Sequence, residues 1–156
     1  MTDYVTFTTA GQLFGLPIEQ VQDVFTMTDA TRVPLAGREI AGVLNLRGRI
    51  VTVIDLASRL ALDGSSDANM VIGIEHGSES FGILVDRVGE VLSLSDRDRE
   101  PPPINLDPIL DAMAIGVFRL DGKILVVLDA DRTIDLSNTR TIPPMRSNAP
   151  GAAIVE

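Results

Sequence analysis

His76 is the only histidine among these 156 residues, so any imidazole acid–base or nucleophilic chemistry would have to pass through it. It falls in the turn sequence Glu75-His76-Gly77-Ser78, and no serine near it stands in the G-x-S-x-G setting that exposes a nucleophile. The expected role is a solvated turn residue. Asp63-Gly64-Ser65-Ser66 has the form of a loop presenting one carboxylate of a proton-sharing pair, which needs a second carboxylate from the other half of a duplicated chain. The other half offers only Ser137-Asn138-Thr139, so the segment reads as a linker. Val126-Val127-Leu128-Asp129-Ala130-Asp131 looks like a strand ending on a phosphoacceptor aspartate, but the further acids, the later lysine and the alternating helices of such a site are missing. There is no cysteine, hence no thiolate nucleophile, disulfide or Cys-based metal site. Phosphate-binding glycine loops and His/Glu zinc spacings are absent as well. The sequence therefore nominates no catalytic residue, no metal ligand and no cofactor.

Recognition chemistry is better represented. Arg47 occupies a hairpin turn, Arg47-Gly48, where the matching turn later in the chain reads Asp121-Gly122. Asp-Gly suits a primed turn, whereas arginine is a poor choice where φ is positive. Either Gly48 alone takes the left-handed position in a bulge, or Arg47 has work beyond turning the chain. Asp23 is its candidate partner, and an exposed pair of this kind contributes about 0–1 kcal/mol, so its value would be orientation. Val21, Val24 and Phe25 flank Asp23 and match Val88, Val91 and Leu92. At least half of these are expected in the core. The remainder would line an apolar groove suited to a partner helix.

These residues are placed by a body that is written twice. Phe14-Gly15-Leu16-Pro17-Ile18, leading to Val21, Asp23, Val24 and Phe25, recurs 67 positions later as Phe81-Gly82-Ile83-Leu84-Val85, leading to Val88, Glu90, Val91 and Leu92. Gly42, Val43, Leu46, Gly48, Ile50, Val53 and Asp55 recur 74 positions later as Gly116, Val117, Leu120, Gly122, Ile124, Val127 and Asp129. Two copies are too few for a solenoid and imply two similar units side by side. Period-2 alternation predicts strands around Val5 and Phe7, and over Leu13–Ile18, Ala41–Leu46 and Arg49–Leu56, with counterparts around Ile72 and Ile74, and over Phe81–Val85, Ile115–Leu120 and Lys123–Leu128. Helix is scarce: a turn or two over Ala57–Leu62, Asp107–Met113 and Ala130–Leu136, with Asp55 and Asp129 as caps. The fold class expected is mostly β, two small barrels with a few short helices, not a parallel α/β sheet. The units are 1–66 and 67–137, jointed near Gly64-Ser65-Ser66-Asp67, and 138–156 reads as a flexible tail. Each unit is too small for a secure core of its own, so the two should bury apolar surface against each other.

Composition sets the outer limits. Hydrophobic residues make up 45% and charged residues 22%, the profile of a folded globular protein. A net charge of −9 argues against nucleic acid as a partner. No apolar run reaches the ~20 residues of a membrane helix, and the start carries no signal sequence, so cytoplasm is the expected location.

The segments Gly42-Val43-Leu44-Asn45-Leu46-Arg47-Gly48-Arg49-Ile50-Val51-Thr52-Val53-Ile54-Asp55-Leu56, Phe81 through Val88 with Glu90-Val91-Leu92, Glu100-Pro101-Pro102 and Gly116 through Asp129 resemble the CheW family of chemotaxis coupling proteins. The likeness runs from about Tyr4 to Leu136. It implies two five-stranded SH3-like barrels around a shared hydrophobic interface. It also implies a non-catalytic cytoplasmic adaptor that links the cytoplasmic tip of chemoreceptors to the regulatory domain of the histidine kinase CheA, without inserting in the membrane. The family's receptor-binding region maps to Val21, Asp23, Gly42 and Arg47, with neighbouring Val24 and the groove between barrels. Asp131-Arg132-Thr133-Ile134 lacks the leucines common there in the family, so the last helix is expected to pack loosely. Two other readings remain: a scaffold of the same fold in a non-flagellar receptor–kinase pathway, and a hydrolase using two carboxylates across the interface.

Overall fold

The computed structural model describes residues 1–27, 37–62 and 68–135. The proposed joint at 64–67 and the tail at 138–156 lie outside these residues. Strands β1 (Thr2–Thr9), β2 (Gln12–Pro17), β3 (Asp23–Thr26), β4 (Ile40–Leu46) and β5 (Arg49–Asp55) come from the first sequence unit. The second repeats them as β6 (Met70–His76), β7 (Glu79–Val85), β8 (Arg87–Leu94), β9 (Ala114–Leu120) and β10 (Lys123–Leu128). Three short helices follow strands or precede them: α1 (Leu56–Arg59), α2 (Pro108–Met113) and α3 (Ala130–Ile134).

The strands form two five-stranded sheets, in the orders β8-β1-β2-β10-β9 and β3-β6-β7-β5-β4. Exchanging each strand for its repeat converts one order into the other. The sheets therefore do not coincide with the units 1–66 and 67–137. Each sheet takes three strands from one unit and a hairpin, β1–β2 or β6–β7, from the other. The borrowed hairpin docks through a parallel pair, β2 with β10 and β7 with β5, so both sheets are mixed. The reason is pairing and burial. Within each sheet a unit's own strands are a lone strand, β8 or β3, and a hairpin with an open edge on β10 or β5, and the neighbour's hairpin sits between them and pairs with both.

Side-chain alternation then builds three cores. Along β10, Leu125 and Val127 enter a small core with Tyr4 and Phe118, while Val126 and Leu128 face the other way into a larger one. Along β7, Leu84 enters a small core with Leu44, Val51, Val53 and Val71, while Ile83 and Val85 face the larger one. The larger core is shared. Phe7, Phe14 and Leu16 of one sheet meet Ile54, Ile72 and Ile74 of the other, and Leu56, Met113 and Ala130 of the helices close it. Strands buried on both faces explain continuous apolar runs such as Leu125-Val126-Val127-Leu128, which simple alternation does not predict.

The aspartates cap as expected. Asp55 accepts from the backbone N–H of Ala57 and Ser58, and Asp129 from that of Arg132. Asp107 does the same for Ile109 ahead of α2. α1 makes one turn, within the turn or two expected, but spans Leu56–Arg59 and is followed by Ala61 with φ 57°. One expectation fails locally. α3 is not loosely packed: Ala130, Thr133 and Ile134 are all buried. The leucines it lacks are replaced by a polar clamp. Arg59, itself buried, donates Nε–H to the carbonyl of Thr133 at 3.1 Å, and its Nη2 to those of Arg132 and Asp135, both at 3.2 Å. These are carbonyls that a helix end leaves without intrahelical partners.

Candidate functional site

The hairpins β4–β5 and β9–β10 both close with two-residue loops, pairing Leu46 with Arg49 and Leu120 with Lys123. They turn differently. Arg47 has φ 55° and Gly48 φ 82°, the signs of a type I′ turn, whereas in the other loop only Gly122 is positive, at 74°. The residue suited to a primed turn, Asp121, does not make one, and the unsuited Arg47 does. Its backbone conformation costs an L-residue about 1–2 kcal/mol. Asn45 holds the turn by accepting the Gly48 N–H on Oδ1 at 2.9 Å.

Arg47 borders a cavity of about 240 Å³ at the mouth of the second sheet. All five strands contribute: Asp23 and Phe25 from β3, Gly73 from β6, Ser80 and Phe81 from β7, Arg49 and Val51 from β5, and Leu46 at the end of β4. Asp23 faces this cavity because its strand partner is Gly73, over which its carboxylate lies. A Cβ on Gly73 would collide with Asp23 Oδ1. Among the described residues no ion pair joins Asp23 to Arg47, so the structure brings them to one cavity without closing the expected contact. Arg49 is engaged instead, bonding Glu75 Oε2 at 3.2 Å and the hydroxyl of Ser80.

The other nominated residues divide. Val21 packs against the shared core and lines a second cavity of about 430 Å³ with Gln20, Gln22, Glu75 and Ala130. Val24 points to the opposite face of β3 from Asp23 and is 39% exposed. Phe25, partly buried, packs against the second sheet's own core while also lining the cavity. Gly42 lies at a bulge, where the register shifts between Ile40 and Gly42, and does not border the cavity. Its repeat Gly116 is at a close approach, since a Cβ there would strike Arg99 and the Glu100 carbonyl. His76 lies in a third depression of about 330 Å³, its Nδ1 3.0 Å from Asp131 Oδ1, with both side chains more than half exposed. Among the described residues Asp131 is its only hydrogen-bond partner, so no serine completes a triad. The depressions are contiguous, sharing Gln22, Asp131 and Phe81, and form a track from the Arg47 hairpin to α3.

The repeats explain why the mouth is open. The positions of Gly73, Ser80 and Arg47 are taken in the first sheet by Thr6, Leu13 and Asp121. Thr6 is buried and donates its hydroxyl to the Glu90 carbonyl at 2.6 Å, and Leu13 packs on Tyr4, Phe118 and Leu125. The same space is filled there. Gly73, Ser80, Arg49 and Asn45 escape a reading based on likeness between copies. Aligning the copies for their differences at a shift of 67 would have found the first two.

The chemistry at hand is that of recognition: two arginines and a carboxylate on a mouth whose apolar wall is Phe25, Leu46, Val51 and Phe81. Among the described residues no group of three or more His, Asp or Glu could hold a metal ion, and no helix is long and apolar enough to cross a membrane. A duplicated β body of this kind is the class of protein the fold and the site define.

The chain belongs to the CheW-like domain family, which matches residues 3–138. It is 29% identical over 131 residues to the chemotaxis protein CheW of Rhizobium meliloti, covering 83% of this chain and 84% of that one. It is 32% identical over 134 residues to CheW of Klebsiella aerogenes, covering 85% and 81%. Its fold matches the crystal structure of the scaffolding protein TtCheW from Thermoanaerobacter tengcongensis with a TM-score of 0.74 and 32% identity, over 81% of this chain and 83% of that one. The family is one of non-catalytic chemotaxis scaffolds, and the two-carboxylate hydrolase reading is set aside.

Proposed function

We propose that this chain is the adaptor that couples the cytoplasmic tip of chemoreceptors to the regulatory domain of the histidine kinase CheA in a bacterial chemotaxis pathway, working in the cytoplasm on membrane-bound receptors. Family membership supports the pairing of partners. The observation that carries the site is that Asp23 and Arg47, two positions to which the resemblance assigns receptor binding, line one mouth without pairing with each other. Of the other nominated residues, Val21 lines the adjoining depression, while Val24 on the far face of β3 and Gly42 at its bulge lie off the mouth. A receptor helix laid across the mouth would set a charged side chain against Arg47 and bury an apolar one on Phe25 and Phe81. Signal would pass as a change in relative placement of partners, because the chain supplies no reactive constellation.

Co-sedimentation with receptor-containing membranes and purified kinase tests the proposal. The wild-type chain should bring both down together, and Arg47→Ala should weaken the receptor arm while circular dichroism and melting stay near wild type. Retention of full receptor binding by that variant would refute Arg47 as the contact.

A further inference from the structure

We infer that Asn45 is a positioning residue: its side chain selects the primed turn that aims Arg47 at the cavity. The functional half of this inference rests on the receptor-coupling reading above. Its structural half stands on two hairpins within one molecule that form a natural comparison.

Both hairpins have loops of two residues ending in glycine, and both follow a strand ending in leucine, Leu46 or Leu120. The residue before that leucine differs. In β4 it is Asn45, whose Oδ1 accepts the Gly48 N–H at 2.9 Å. In β9 it is Arg119, which reaches away to the Glu100 carboxylate, with Nε 3.0 Å from Oε2. Without an acceptor at that place, the loop residue matching Arg47 keeps a negative φ even though it is an aspartate. With the acceptor, an arginine is held at φ 55°. Intrinsic preference runs the other way, since aspartate enters the left-handed region more readily than arginine. Between these two hairpins the local hydrogen bond acts in the observed direction, because asparagine side chains compete for nearby backbone N–H groups. The β1–β2 loop, where Ala10 and Gly11 are also both positive (φ 53° and 80°), likewise has a side-chain acceptor, Asp86 Oδ2, which takes the Ala10 N–H at 3.0 Å. Asn45, Arg47 and Gly48 are all exposed, so the device is not part of a core that substitution would collapse. The turn's conformation decides where a long side chain at Arg47 starts out, and the cavity's opposite wall carries Asp23.

The test uses the full chain with Asn45→Ala, Asn45→Asp, which keeps the acceptor, and Asn45→Arg, which copies the other hairpin. Amide hydrogen exchange of Gly48 and the backbone coupling constant of Arg47, both by NMR, report the turn. Co-sedimentation with receptor-containing membranes reports binding. Asn45→Ala and Asn45→Arg should speed Gly48 exchange, shift the Arg47 coupling and weaken receptor binding about five- to thirtyfold, with melting little changed. Asn45→Asp should restore all three. An unchanged Gly48 amide in Asn45→Ala, or an Asn45→Asp variant as impaired as Asn45→Ala, would overturn the inference. If the NMR readouts change as stated while Arg47→Ala itself binds receptor normally, Asn45 still sets the turn and the receptor reading is what fails.

Discussion

Arg47 is where backbone preference and the proposed receptor contact pull apart. Its left-handed φ is a conformation that glycine adopts freely. Arg47→Gly should therefore stabilise the fold by up to about 1 kcal/mol, read as a rise in the urea midpoint, while receptor co-sedimentation falls. A variant that is both less stable and less able to bind would mean the guanidinium supports the fold. Arg59 makes the opposite case: it is buried and gives three hydrogen bonds to the end of α3. Arg59→Ala should cost roughly 3 kcal/mol in chemical denaturation, and loss of less than about 1 kcal/mol would show that α3 holds by its apolar side chains alone. The sequence pointed to Arg47 because its copy is Asp121, and to Asp23 by position. It did not point to Arg59 or Asn45, because a buried arginine and a turn-capping asparagine look like ordinary surface residues until their long-range or backbone partners are known.

At the scale of elements, the hairpin strands were legible, the single strands β3 and β8 were not anticipated, and helix ends were less legible. The four tight hairpins follow from turn pairs at Ala10-Gly11, Arg47-Gly48, Gly77-Ser78 and Asp121-Gly122, set between apolar runs. The length of α1 was not, because Ala57–Leu62 keeps a helical composition past the point where Ala61 turns left-handed. That residue ends the helix as glycine usually does, with Leu62 N–H bonded back to the Ala57 carbonyl at 2.8 Å. Ala61→Gly should add up to about 1 kcal/mol, measured as a higher melting temperature, and a lower one would show that Ala61 is held by packing. The tightness of α3 was misjudged for a related reason. Counting leucines registers apolar burial but not a polar clamp from another helix.

At the scale of the molecule, the doubling was plain in the residues and the exchange of hairpins was not. Shifts of 67 and 74 say that two units exist, but pairing of β2 with β10 and of β7 with β5 joins residues more than a hundred and about thirty positions apart, and no local signal carries that. The consequence for folding is direct. Segment 1–66 lacks the hairpin that completes its own three-strand set, and 67–137 lacks the reciprocal one. Expressed separately at low concentration, each should show little ordered structure by circular dichroism, and mixing them should recover the native spectrum. A segment that folds alone as a monomer would contradict the shared core as the source of stability. The intact chain should unfold in one transition, since the core of seventeen buried residues joins both sheets.

Thr6 and Leu13 fill one mouth where Gly73 and Ser80 leave the other open. A body with true two-fold symmetry would offer the same socket twice and could bridge two identical ligands. This one has a front and a back, so under the proposed function each copy would accept one such ligand and would carry a built-in polarity into an assembly.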